Sequence, residues 1–312
     1  MATTNFSGDE LEKQTVSIFQ PYCFPDLTSG IHGQYTFISV LNSFLSITAF
    51  FGNALILIAL YKESSLHPPS KVLLRNLATT DLGVGLFLQP LYAALLTTAV
   101  NEHSNVCHIV AVAVSITGSI LCAVSLLTLT SISVDRLLAL LLGLRYRQVV
   151  TLRRTYGSVI AFWAVSTVYA TFKLFLDSNI RSWCVASSIS LCLATSTYSY
   201  TRIFTNLHHR QNQLQDQMHQ PNQTNQLNIG RYRNAVSTAL WLQFTLVACY
   251  LPYAVSVTWL IHSKLSSSVF LALNYTSTLV FLNSTLNPIL YCWKIDEVRQ
   301  AVKDTIRKVL CC

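Results

Sequence analysis

Seven predominantly apolar stretches follow one another along the chain, at about 35–61, 70–98, 104–138, 155–177, 181–206, 231–260 and 267–292. A membrane-crossing helix needs about 20 such residues, and each stretch is long enough. The polar gaps are short except 207–230, which is rich in Gln and Asn and reads as a flexible loop. The pattern predicts an all-α membrane protein. It has a tail over 1–34, a bundle of seven transmembrane helices over 35–292 and a terminal segment over 293–312. In that last segment Ile295, Val298, Val302, Ile306 and Val309 recur at helical spacing with basic residues between them. This predicts a short C-terminal amphipathic helix lying on the membrane lipids. Cys311 and Cys312 follow it directly and are candidates for palmitoylation.

Composition agrees with a lipid solvent. Of 312 residues, 52% are hydrophobic and 11% charged, against about 25% charged in a soluble domain. The formal charge of +8 does not point to nucleic acid, because Lys and Arg fall in the gaps between apolar stretches. Counted by side, 17 of the 21 Lys and Arg lie on one face if the N-terminus is outside and seven helices cross. An odd number of crossings is needed, and seven satisfies the positive-inside rule. The polar, acidic residues 1–30 lack the layout of a cleavable signal, so the first span is expected to direct its own insertion. His208, His209 and His219 fall in the long gap, and no catalytic or metal constellation sits at one depth. An enzyme is therefore not expected.

Polar groups inside apolar stretches are costly and mark function. Asp81 lies in the second, Asn53 in the first, Ser125 in the third, and Asn283, Ser284 and Asn287 in the seventh. Packed together they form an oxygen-rich cavity. It suits either a small hard cation or a protonated Asp81 bonded to Asn53 or Asn287. Asp135-Arg136 closes the third stretch, where adjacent opposite charges can pair. Pro252 and Pro288 kink the sixth and seventh helices.

The ordered set of motifs resembles the rhodopsin-like (class A) G-protein-coupled receptors. It comprises Gly52-Asn53, Asn76-Leu-Ala-x-x-Asp81, Asp135-Arg136-Leu137, Trp163, Tyr200, Cys249-Tyr250-Leu251-Pro252 and Asn287-Pro288-Ile289-Leu290-Tyr291. The resemblance implies a plasma-membrane receptor that binds an extracellular ligand and activates a heterotrimeric G protein. It implies that Asp81, Ser125, Asn283 and Asn287 form a pocket for a sodium ion acting as an allosteric modulator, with no other cofactor. Asp135, Arg136, Tyr200, Asn287, Pro288 and Tyr291 would form the G-protein switch. The rival reading is an ion-coupled transporter or channel with Asp81 in its path. It lacks inverted repeats and a second acid.

The departures carry information. Leu137 stands where the family usually has Tyr. The start of the sixth helix, Gly230-Arg-Tyr-Arg-Asn234, offers no acid to hold Arg136, which predicts appreciable ligand-free signalling. Ala111 stands at the family's third-helix cysteine position. Cys107, one turn further out, could instead pair with Cys23, ranked first, or with Cys184, or remain free. Asn5-Phe6-Ser7 is a glycosylation acceptor on the outer side. The short loop between the fourth and fifth helices and the proline-free fifth helix resemble the melanocortin, adenosine and cannabinoid receptor group. The implied ligand pocket, Tyr92, Gly118, Cys122, Tyr250, Tyr253, Val257 and Phe281, is largely apolar. It suits a neutral or lipid-like small molecule first and a peptide second.

Overall fold

The computed structural model describes residues 23, 30–62, 67–101, 104–216, 223–263, 266–294 and 296–310. Among these the fold is helical throughout. The spans, in order, are His32–Lys62, Pro68–Val100, Ser104–Leu142, Leu152–Phe172, Ser178–Asp216, Gln223–His262 and Ser267–Lys294, followed by the short helix Asp296–Leu310. The first span packs on the second and seventh, and the sixth lies between the fifth and seventh. The third touches the second, fourth and fifth and so forms the centre of the bundle.

The bundle is apolar outside and polar inside, as lipid solvation demands. Phe37, Phe44, Phe51, Ile160, Val165 and Val168 face outward, whereas Asn42, Asn53, Asp81, Ser125, Asn274 and Asn287 are buried. By length and composition, five helices among the described residues suit a crossing: His32–Tyr61, Pro68–Val100, Asn105–Leu142, Gln243–His262 and Ser267–Trp293. The fourth and fifth spans are more polar. In the fifth, the hydroxyls of Ser187, Ser188, Thr195, Ser199 and Thr201 donate to carbonyls three or four residues back. These bonds satisfy the side chains locally and let a Ser- and Thr-rich helix sit beside lipid.

The second span is interrupted by a π-helical turn, Val84–Leu88, just before Pro90. Gly85 sits there against the first span so closely that a Cβ would lie 2.8 Å from the Phe50 nitrogen. The Ser46 hydroxyl donates to the Gly85 carbonyl at 2.7 Å, supplying a partner where the regular ladder fails. Gly52 plays a similar part against the Pro288 ring, whose Cγ would be 3.1 Å from a Cβ.

The long polar gap is corrected. The fifth helix runs on to Asp216 and the sixth begins at Gln223, so most of 207–230 is helical backbone rather than loop. Gln and Leu are good helix formers, and a helix already nucleated in the membrane extends at low cost. In the terminal helix Val298, Ala301, Val302 and Thr305 are buried while Ile306 is exposed. The helix lies against the first and seventh spans. Asn5, Cys311 and Cys312 lie outside the described residues, as do the side chains at 230–234.

A disulfide joins Cys23 to Cys107, and Cys184 is free. It marks one end of the bundle; Arg136 marks the other.

Candidate functional site

The centre of the bundle is organised around the Asp81 carboxylate, which is fully buried. Its Oδ1 accepts from Ser284 at 2.8 Å and Ser125 at 3.4 Å, and its Oδ2 accepts from Asn287 Nδ2 at 2.7 Å. Second, third and seventh spans are thereby tied at one point. Asn53 takes a different place. Its amide donates to the Ala49 and Ser284 carbonyls, not to Asp81. Asn283 is buried, but its Nδ2 has no partner among the described residues. Ser284, and not Asn283, therefore stands directly on the carboxylate. The donor set is one carboxylate with hydroxyl and amide oxygens, and no cluster of three His, Cys, Asp or Glu side chains occurs among the described residues. A single negative charge among oxygen ligands fits one monovalent hard cation.

Nearer the Arg136 end, Asn76 links three spans. Its Nδ2 donates to Thr128 Oγ1 at 2.8 Å, and its Oδ1 accepts from Trp163 Nε1 at 2.9 Å. One layer further, Asp135 is gripped on both oxygens. Arg136 pairs with Oδ2 at 3.1 Å, Ser70 donates to the same atom at 2.9 Å, and Tyr146 donates to Oδ1 at 2.6 Å. Asp135 is buried while Arg136 is half exposed. Tyr146 lies in a short helix beyond the third span. Burial first, and then the bond to Asp135, push its phenol up to about 12. The Asp135–Arg136 pair is the sole ion pair among the described residues. Tyr200 and Tyr291 are buried nearby, and the Tyr291 hydroxyl has no partner among the described residues.

The motifs therefore fall in three buried polar layers, at Asp81, Asn76 and Asp135, which form a column ending at Arg136. The sequence matches the family described as 7 transmembrane receptor (rhodopsin family) over residues 52–291. That is most of the chain and includes every element of the column. The chain belongs to this family. It is a multi-pass membrane receptor with the rhodopsin-like seven-helix fold. The match is to receptors and gives the transporter or channel reading no support.

In this receptor the expected pocket residues lie between the disulfide end and Asp81. Tyr92 meets Phe281 edge to face, with centroids 5.2 Å apart, and its hydroxyl donates to Asn274 Oδ1 at 2.6 Å. Leu88 packs where Gly118 has no side chain. Tyr250, Val257 and Phe281 are buried, and Cys122 and Tyr253 are half buried. Tyr250 lies within electrostatic range of both Cys122 and Asp81.

Three features escaped the sequence reading. Asn274 anchors Tyr92. Gln243 in the sixth span accepts from Ser196 at 2.7 Å and donates to Thr197 at 2.8 Å, and Ser196 meets Ser133 at 2.9 Å. Lys173, at the end of the fourth span, turns inward onto the third span. A polar residue within, or at the end of, an apolar stretch was the available signal in each case.

Proposed function

We propose that this receptor sits in the plasma membrane with its disulfide end outside. In this reading it binds a lipid-like small molecule there and activates a heterotrimeric G protein at the Arg136 end. The observation that carries the reading is the set of buried polar layers from Asp81 to Arg136, beneath the expected pocket. A change of packing at the pocket would reach Arg136 through the second and third spans, which these layers tie together. The ligand would act by binding the active arrangement more tightly, and G-protein binding would be reciprocally coupled to it. Burial of Tyr250, Val257 and Phe281 favours an apolar ligand over a peptide.

Within this reading, Arg136, Tyr200 and Tyr291 form the switch that rearranges when the G protein docks, and Pro252 and Pro288 are the kinks about which it repacks. Sodium at Asp81, Ser125, Ser284 and Asn287 would hold the inactive packing, with Asn283 beside it. Arg136 is held by its neighbour Asp135 rather than by an acid from the sixth helix, and this supports ligand-free signalling. Acylated Cys311 and Cys312 would strengthen the lipid contact of the terminal helix, and a glycan at Asn5 would mark the outer face.

The test is G-protein activation by the full chain, without ligand, across the main subtypes. The Arg136→Ala variant serves as control at equal surface density. Activation above mock-transfected cells that disappears in the variant is the expected result. Equal signals from both proteins would overturn the switch assignment.

A further inference from the structure

Lys173 caps the fourth span, and its side chain is only 7% exposed. A lysine at a membrane boundary ordinarily snorkels its ammonium towards water. This one points the other way. Its Nζ donates to the Ser115 carbonyl at 2.7 Å and to the Ser119 hydroxyl. Those residues lie eight and twelve positions beyond Cys107 in one continuous helix. At ~1.5 Å per residue the ammonium sits roughly 12–18 Å below the disulfide along the helix axis.

Both partners are neutral, and no carboxylate pairs with Lys173 among the described residues. An ammonium carries three donors, so one remains. Arg181 in the first turn of the fifth span donates to the Leu176 carbonyl at 3.3 Å, three residues beyond Lys173, and Tyr169 lies one turn below Lys173. The Tyr169 hydroxyl is buried and has no partner among the described residues. Two cations and an orphan hydroxyl therefore gather at the junction of the third, fourth and fifth spans. Asp177, the acid in the adjoining loop, is exposed and forms no ion pair among the described residues. A buried ammonium with no counter-charge is costly unless it gives up its proton or an anion enters.

On the receptor reading above, we propose that Lys173 is the counter-cation for an anionic ligand head group. The ligand is then an amphiphile with one carboxylate or phosphate monoester on an apolar tail. Ser119, which the Lys173 ammonium reaches, is the neighbour of Gly118 and lies one turn from Cys122 in the same helix, and both are expected pocket residues. A head group at Lys173 thus leads its tail directly into the apolar residues of the pocket. This replaces the neutral ligand expected from the lining alone.

The test is equilibrium binding of radiolabelled oleate, oleyl phosphate and oleyl alcohol to the purified full chain in phosphatidylcholine nanodiscs. At least one anion should bind saturably and at least tenfold more tightly than the alcohol. The better anion identifies the head group. Lys173→Gln should weaken the anions by about thirtyfold and leave the alcohol unchanged. If the variant does not fold, the anion-to-alcohol ratio on the unmodified chain still decides. Equal binding of alcohol and anions, unchanged anion binding by Lys173→Gln, or no saturable anion binding would each overturn the proposal. Anion-selective binding without Arg136-dependent G-protein activation would instead overturn the receptor mechanism and leave this site standing.

Discussion

Asp81 shows what one ionisable group costs and organises inside a membrane bundle. A lone carboxylate there needs either a proton or a counter-ion, and its three hydrogen-bond partners come from two other spans. If sodium binds, it stabilises the folded receptor by mass action, by about 1.4 kcal/mol at ten times its Kd. The unmodified chain should therefore melt higher in sodium chloride than in choline chloride, and Asp81→Asn should melt equally in both. A sodium-dependent Tm retained by the variant would remove the ion from this site. Gly85 illustrates a steric constraint at the same scale. Gly85→Ala would drive a Cβ to 2.8 Å from backbone of the first span. Overpacking of this kind costs roughly 1–3 kcal/mol. A Tm in detergent unchanged from the parent protein would show that the π-turn yields freely.

At the scale of elements, one polar chain ties spans that would separate for a G protein to enter on the proposed mechanism, and a second link ties the short helix beyond the third span to that span. The Ser133–Ser196–Gln243–Thr197 chain joins the third, fifth and sixth spans. Interhelical hydrogen bonds in membranes average about 0.6 kcal/mol. Gln243→Leu removes two such bonds and should therefore raise ligand-free G-protein activation by up to about eightfold at matched surface density. A fall or no change would mean that the chain does not restrain the sixth span. The second link is Tyr146 on Asp135. Its phenol has its ordinary value near 10 raised to about 12. The neutral form is thus favoured in the fold, and its contribution is complete below about pH 10 and lost as pH rises through 12. The Tm difference between the unmodified chain and Tyr146→Phe should be constant from about pH 6 to 9 and shrink above pH 10. A difference that changes between pH 6 and 8 would point to another titrating group.

Across the whole molecule, the polar column and the disulfide place the proposed ligand and G-protein sites at opposite ends of one bundle. The Arg136 end lacks a described ion pair to the sixth span, so on the proposed mechanism the inactive state would rest on hydrogen bonds of modest strength and on the proposed sodium ion. The equilibrium between packings should then be shallow. Ligand-free activation of the full chain should be measurable and should fall when sodium replaces choline outside the cell. Basal activity equal to that of mock-transfected cells would show that packing alone holds the inactive state firmly.

Periodicity and composition determined much of this by themselves. Apolar runs of sufficient length, interrupted by short basic gaps, admit few arrangements other than a helical bundle in lipid. Polar residues are so costly there that Asp81, Asn287 and Arg136 stood out without coordinates. The fifth helix and the long gap were less legible, because hydroxyls that bond their own backbone and Gln-rich helical extensions both resemble loop in composition. Side-chain direction was hidden altogether. Nothing in the order of residues says that Ser284 rather than Asn283 touches Asp81, or that Gln243 reaches the fifth span. Nor does it show that Lys173 turns inward to the third span instead of outward to water. Those facts depend on how each helix is rotated about its axis and which neighbour it meets, and only the packed bundle sets both.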